Sequence, residues 1–123
     1  MGLRFVKIAV VYLLVGISLG LVMGMTQRFT LAPVHAHINL LGWASLALVG
    51  VIYHLYPDAA KTRLARVHFW LHNIGLPLLM VGLALMLTGH PAFDPLVAIG
   101  SVTVVVALFV FAVNLFRNTR VAA

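Results

Sequence analysis

The sequence predicts an all-α integral membrane protein made of four transmembrane helices. Three observations lead to this prediction. Of the 123 residues, 63% are apolar and only 8% are charged, against roughly 25% charged residues in soluble domains. The mean hydropathy is +1.13. The apolar residues form four stretches of the roughly 20 residues that a bilayer-spanning helix needs, at about 4–25, 31–56, 66–88 and 95–116, which together make one domain over residues 1–123.

The first segment begins with two basic residues, Arg4 and Lys7, and continues as an apolar run. It is too long for the apolar region of a secretory signal peptide and has no small-x-small cleavage site, so we expect a retained helix. Gly16, Gly20 and Gly24 follow at four-residue spacing, a pattern that lets two helix backbones approach closely in lipid. The pattern favours packing within the chain, with association between proteins as the alternative.

The second segment carries His35 and His37 near its start. At 100° per residue, side chains two positions apart on a helix point about 200° apart. The two histidines therefore cannot chelate one ion together and address two different sites. Two interpretations stay open at this point. The pair binds two cofactors on opposite sides of one helix, or both side chains lie at the membrane interface and bond to headgroups and loop backbone.

The third segment places His68 and His72 on one helix face, because they are four residues apart. His54 ends the preceding segment near the same membrane level, so the three imidazoles are candidate ligands for copper or zinc. The alternative is that these histidines satisfy backbone groups at a helix end and meet lipid phosphates. In the connection to the fourth segment, His90 lies in a Gly-His-Pro turn and is either a ligand or a turn residue.

The basic residues cluster on one side of the predicted bundle, whereas the connections on the other side contain a single base, Arg28. By the positive-inside rule we expect both termini in the cytoplasm, in a bacterial-type inner membrane, with His35, His37 and His90 toward the outer face. The formal charge of +6 therefore indicates topology, and no nucleic-acid partner is expected. The basic cluster comprises Arg4, Lys7, Lys61, Arg63, Arg66, Arg117 and Arg120.

The sequence also excludes several classes of chemistry. With no cysteine, disulfides, thiolate-held iron–sulfur clusters and covalently attached c-type haem are excluded. The two acidic residues, Asp58 and Asp94, lie in or beside loops, so no buried carboxylate is predicted as a proton relay or general base. Motifs of hydrolases and phosphate-binding loops are absent. Histidine is the remaining strong ligand.

Two longer stretches of the chain carry recognisable motifs. Residues 35–57, HAHINLLGWASLALVGVIYHLYP, have a His-x-His start and a Tyr-His-x-aromatic-Pro end, and they resemble the tenth helix of subunit I of the haem-copper oxidases, which has both at the same distance. Residues 66–75, RVHFWLHNIG, are similar to the start of its eleventh helix. The resemblance covers about half of the chain well, and the first and fourth segments only by position.

The resemblance implies that His35 and His37 are haem-iron ligands. In the family the first histidine of the pair binds the high-spin haem and the second binds the low-spin haem. We therefore expect a b-type haem protein that transfers electrons or binds a small gas such as oxygen or nitric oxide. The family's copper ligands, cross-linked tyrosine and proton-channel residues are not found in this sequence, so oxygen reduction is not expected. Arg28 is the one outer-side base that could replace the family's propionate-binding arginine pair.

The resemblance also implies a homo-oligomer. Subunit I has twelve helices in three similar four-helix arcs, and this chain has the length of one arc, so a homotrimer would rebuild the outline. Each haem would then lie between copies, held by His35 of one and His37 of the next. Alternatives are a cofactor-free accessory or assembly subunit of a respiratory oxidase, and the copper or zinc site. Further expected partners are the lipid bilayer and an electron-transfer protein or quinol, for which Trp43, Tyr53 and Tyr56 are candidate lining residues.

Overall fold

Four long helices make up nearly all of the described part of the chain. The computed structural model describes residues 1–119, and Arg120 of the basic cluster lies outside them. No strand occurs in this part of the chain, and each long helix has the length and apolar composition to cross a membrane. The helical prediction is confirmed, with every boundary within three residues of the predicted one. The helices are α1 (Gly2–Thr26), α2 (Ala32–Leu55), α3 (Arg63–Leu87) and α4 (Asp94–Asn118).

Turn chemistry decides where the helices end. Gln27 adopts a left-handed backbone with φ 53° directly after α1, and Gly89, with φ +89°, does so after α3. A single helical turn, Pro57–Ala60, occupies the connection between α2 and α3. Thr62 then caps α3, because its Oγ1 accepts a hydrogen bond of 3.1 Å from the backbone N–H of Ala65. Short connections of this kind make sequential helices antiparallel neighbours.

The bundle has two ends, named here for reference. At the terminal end α1 and α3 begin and α2 and α4 end; the far end carries the α1–α2 and α3–α4 connections. One apolar cluster lies toward each end. The terminal cluster is Phe5, Ala9, Leu46, Val49, Tyr53, Ala59, Ala65 and Phe69. The far cluster is Val34, Ile38, Leu76, Leu79, Met80, Leu83 and Val104.

Glycines close two helical hairpins, α1–α2 and α3–α4. A Cβ added at Gly50 would lie 2.7 Å from the carbonyl oxygen of Gly2, and one at Gly100 would lie 2.5 Å from the backbone nitrogen of Leu79. Only glycine lets the backbones come this close. The outer surface of the hairpins is lined by exposed large apolar side chains, as lipid contact requires. Length and composition are those of a multi-pass membrane protein.

The glycine stripe of α1 packs within the chain, as the sequence analysis favoured. A Cβ at Gly16 would collide with the side chain of Asn39, and one at Gly20 would lie 2.7 Å from Cε1 of His35. Both of these side chains belong to α2. Gly24 has nothing within 4 Å of the same position, so the stripe contacts α2 at two of its three glycines.

Candidate functional site

The imidazole of His35 is held between α1 and α2 near the far end. Its Nδ1 lies 2.7 Å from the carbonyl oxygen of Gly16. Because a carbonyl only accepts, Nδ1 carries the proton and the lone pair of a neutral ring is on Nε2. The Nδ2 of Asn39 lies 3.2 and 3.4 Å from the two ring nitrogens and donates a 3.0 Å bond to the His35 carbonyl. The ring is therefore oriented from two helices.

The imidazole of His37 is oriented by its own helix. Its Nδ1 lies 2.7 Å from the carbonyl oxygen of Pro33, so its neutral lone pair is also on Nε2. The side chain is half-buried. The two histidines share no hydrogen-bond partner.

His68 and His72 form a hydrogen-bonded chain inside the bundle. Both side chains are fully buried, with 0% exposure. Nε2 of His72 donates to the carbonyl of Leu41 over 2.9 Å, so Nδ1 of the neutral ring accepts, over 3.1 Å, from Nε2 of His68. Their i and i+4 spacing does place them on one face, as predicted. They lie in the core, however, and not at a lipid-facing helix end.

The carbonyl that accepts the hydrogen bond from His72 is one that the backbone of α2 leaves free. Residues Ile38–Ala44 are π-helical, and the N–H of Ser45 bonds to the carbonyl of Leu40, five residues back. An α-helix would direct that N–H to Leu41, four residues back. The Leu41 carbonyl is thus available, and His72 satisfies it. The π-helical segment of α2 and His72 of α3 are therefore coupled, because the histidine bonds to the carbonyl that the change of register leaves free.

Aromatic rings from the other helices surround His68. Phe5 of α1 stacks on it at 5.3 Å between centroids with 15° between planes, and Phe111 of α4 lies at 5.3 Å. Tyr53 of α2 meets it edge-on at 6.4 Å. Nδ1 of His68 is buried without a hydrogen-bond partner among the described residues. All four helices converge on this ring.

The three histidines considered as copper or zinc ligands, His54, His68 and His72, lie in different surroundings. His54 is exposed, whereas the other two rings are buried. The lone pair of His72 accepts the N–H of His68, so the two rings do not direct lone pairs at a common point. Within residues 1–119 no group of three or more His, Asp or Glu side chains is arranged to hold a metal ion.

The remaining predicted site residues are dispersed. Arg28 is exposed in the α1–α2 connection at the far end. Trp43 packs against the terminal cluster, away from Arg28. His90 is exposed, with its Nδ1 3.3 Å from Oγ1 of Thr88, as a turn residue would be. The candidate quinol residues do not form one surface, because Tyr53 is 1% exposed and Tyr56 is exposed.

The sequence analysis missed a polar network centred on Asn114 of α4. This fully buried side chain donates to Oη of Tyr53 over 3.1 Å and to the carbonyl of Ala59 over 3.0 Å. Its oxygen accepts from Thr62 at 2.9 Å and from Asn118 at 2.8 Å. The network joins α2, α3, α4 and the connection at the terminal end. A carboxamide within an apolar helix was the available signal.

Comparisons with known proteins identify no relative. No protein-family model, no curated protein and no solved structure matches the chain. The likeness to haem-copper oxidase subunit I therefore stays a prediction from two sequence motifs.

Proposed function

We propose that this chain is a b-type haem-binding membrane protein similar to haem-copper oxidase subunit I, with His35 and His37 as axial ligands. One observation carries the proposal. Each imidazole gives its Nδ1 proton to a backbone carbonyl at 2.7 Å and so keeps its lone pair on Nε2. Ligand histidines in metalloproteins are characteristically oriented in this way by a carbonyl or carboxylate on the other ring nitrogen. The carbonyls of Gly16 and Pro33 are the orienting groups here.

A haem would supply one-electron transfer or gas binding, and the number of histidines per iron decides between them. Two histidines on one iron leave no open position and favour electron transfer to a protein partner or from a quinol. One histidine leaves a position for oxygen or nitric oxide. The protein's own residues would orient the two imidazole rings so that the Nε2 lone pairs can bind iron, and the apolar far cluster would exclude water.

We infer that the haem lies between copies of the chain. His35 and His37 are both half-buried near the far end, and a second copy would supply a further surface to enclose a haem. A homotrimer, with His35 of one copy and His37 of the next on each iron, provides that surface. Arg28 is exposed at the same end and is the base available to a propionate.

The distribution of charge supports the membrane orientation that goes with this proposal. Six bases of the described chain lie at the terminal end and one at the far end. The positive-inside rule then places both termini in the cytoplasm and the histidine pair toward the outer face of a bacterial-type inner membrane. The six bases are Arg4, Lys7, Lys61, Arg63, Arg66 and Arg117.

The test is an absorption spectrum of detergent-purified protein, oxidised and then reduced with dithionite. We expect sharp reduced α and Soret bands in the wild type and their loss in His35→Ala and His37→Ala. Mass determination in the same detergent should give three chains. A featureless spectrum after haem supply would overturn the proposal.

A second function is favoured by the packing of His35 itself. Its ring fills the space over Gly20 and ties α2 to the Gly16 carbonyl, which is a structural role that needs no cofactor. The chain would then be an accessory or assembly subunit of a respiratory oxidase. That function predicts colourless protein that co-purifies with oxidase subunits, and His35→Ala would weaken the α1–α2 hairpin without any spectral change.

A further inference from the structure

A continuous groove between α1 and α2 opens at the terminal end. Its outer part is a cup of about 300 Å³ whose wall includes Tyr53, His54 and Lys61. Its inner part is an apolar channel of about 220 Å³ whose wall includes Val6 and Val51. The two parts share Gly2, Leu3 and His54 as wall residues. The groove therefore changes from polar to apolar along its length.

The groove lies beside the glycine contact between the helices. Gly2 and Gly50 are wall residues of the apolar part, and a Cβ at Gly2 would lie 2.6 Å from the carbonyl oxygen of Gly50. The flanking side chains, Leu3 and Val51, are 64% and 49% exposed on the lipid-facing surface. A hydrocarbon chain can therefore enter the apolar part directly from the bilayer.

The polar cup is positively charged. Lys61 lies in its wall and is exposed. Arg4, the neighbouring base on α1, lies 4.5 Å above the ring of Phe69 and is engaged there. No acidic residue is among the wall residues of the cup. An anionic group is therefore the complement of this surface.

We propose that this groove binds one anionic phospholipid, with its phosphate at Lys61 and His54 and an acyl chain in the apolar part. Cationic pockets at the ends of transmembrane helices recognise anionic headgroups in this way. The site is separate from the proposed haem ligands. His54 follows His37 by 17 residues, which is about 25 Å along a helix. The proposal does not depend on haem binding.

The experiment is native mass spectrometry of the full chain in detergent during titration with phosphatidylglycerol or phosphatidylcholine. Lys61→Gln removes the cation and Val51→Trp fills the apolar part from an exposed position. We expect Lys61→Gln to weaken phosphatidylglycerol binding by about fivefold, the equivalent of about 1 kcal/mol for one base near a lipid surface. Val51→Trp should also weaken it, because the indole occupies the place of the acyl chain. Phosphatidylcholine should bind the wild type more weakly than phosphatidylglycerol does.

Matched controls separate this site from general attraction. Lys7→Gln removes a base and Val10→Trp adds an indole at exposed positions of α1 outside the groove, and both should bind phosphatidylglycerol as the wild type does. Equal loss in Lys7→Gln and Lys61→Gln would overturn the proposal in favour of nonspecific charge. Unchanged binding in Val51→Trp would overturn it in favour of a headgroup-only site that free phosphate could occupy. Circular dichroism of each variant is the check that the protein remains helical.

Discussion

The chain contains two histidine pairs, and the structure uses them in opposite ways. His68 and His72 bond to each other and to a backbone carbonyl, with one ring nitrogen, Nδ1 of His68, unpaired deep among aromatic rings. His35 and His37 lie near the far end with half-buried side chains, and each bonds to a carbonyl through Nδ1. The first pair is part of the fold. In the second pair the bonds at Nδ1 leave the lone pair of each neutral ring on Nε2, which in His35 lies 3.4 Å from Nδ2 of Asn39.

The largest contrast is expected in the absorption spectrum when one histidine of each pair is replaced. We expect His37→Ala to lose most of the reduced α and Soret absorbance per chain, because it removes a proposed haem ligand. His72→Leu should retain the bands in the fraction that folds, because His72 lies in the core, where it hydrogen-bonds to Leu41 and His68. Absorbance is normalised to folded protein by size-exclusion chromatography. The comparison fails if His72→Leu abolishes the bands in folded protein and His37→Ala does not.

The free energy of unfolding should show the reverse order, with the larger change on replacing a histidine of the buried pair. His72→Leu leaves two buried groups without partners, the Leu41 carbonyl and the Nε2–H of His68. Each unsatisfied group costs about 1–3 kcal/mol, so the free energy of unfolding should fall by about 2–6 kcal/mol in an SDS titration. His54→Leu is the control, because its exposed position should change stability by less than about 0.5 kcal/mol. Equal stability of His72→Leu and wild type would show that the Leu41 carbonyl needs no partner.

The glycine stripe provides a smaller and more local test. In Gly20→Ala the new methyl group would lie 2.7 Å from Cε1 of His35, so the ring must move away from the Gly16 carbonyl. Overpacking of this kind costs about 1–3 kcal/mol, and we expect a shifted haem spectrum as well. Gly24→Ala, in open space, should leave both stability and spectrum unchanged. The same effect in both variants would indicate lost backbone flexibility in place of contact with His35.

The smallest expected effect on the free energy of unfolding concerns Arg4, which lies at the edge of the buried pair His68 and His72. Arg4 lies over the ring of Phe69, the neighbour of His68. Such a cation–π contact is worth about 0.5–1 kcal/mol at an exposed site, so Arg4→Gln should lower the free energy of unfolding by that amount. Lys7→Gln has the same charge change and should have no effect. A larger loss in Lys7→Gln would assign the difference to net charge.

Much of the fold could be predicted because a bilayer forces each helix to satisfy its own backbone. Composition and the length of the apolar runs therefore predict four helices whose ends lie within three residues of those observed. The four-residue spacing of His68 and His72 and the opposed directions of His35 and His37 are also local properties of one helix. So is the small-residue face of α1. None of these needs knowledge of a neighbouring helix.

Only the tertiary structure decided what each side chain bonds to. The π-helical register of Ile38–Ala44, the proton on Nδ1 of His35, and the burial of Asn114 all depend on groups from other helices. The periodicity of one helix reports its faces but not which carbonyl or ring lies opposite, because that depends on helix rotation and contact distance. The sequence by itself therefore determined which helix, and which face of it, carries each histidine pair. The packing of α1, α2 and α3 decided which groups each ring bonds to, because His72 reaches the Leu41 carbonyl and His35 the Gly16 carbonyl only across helix contacts.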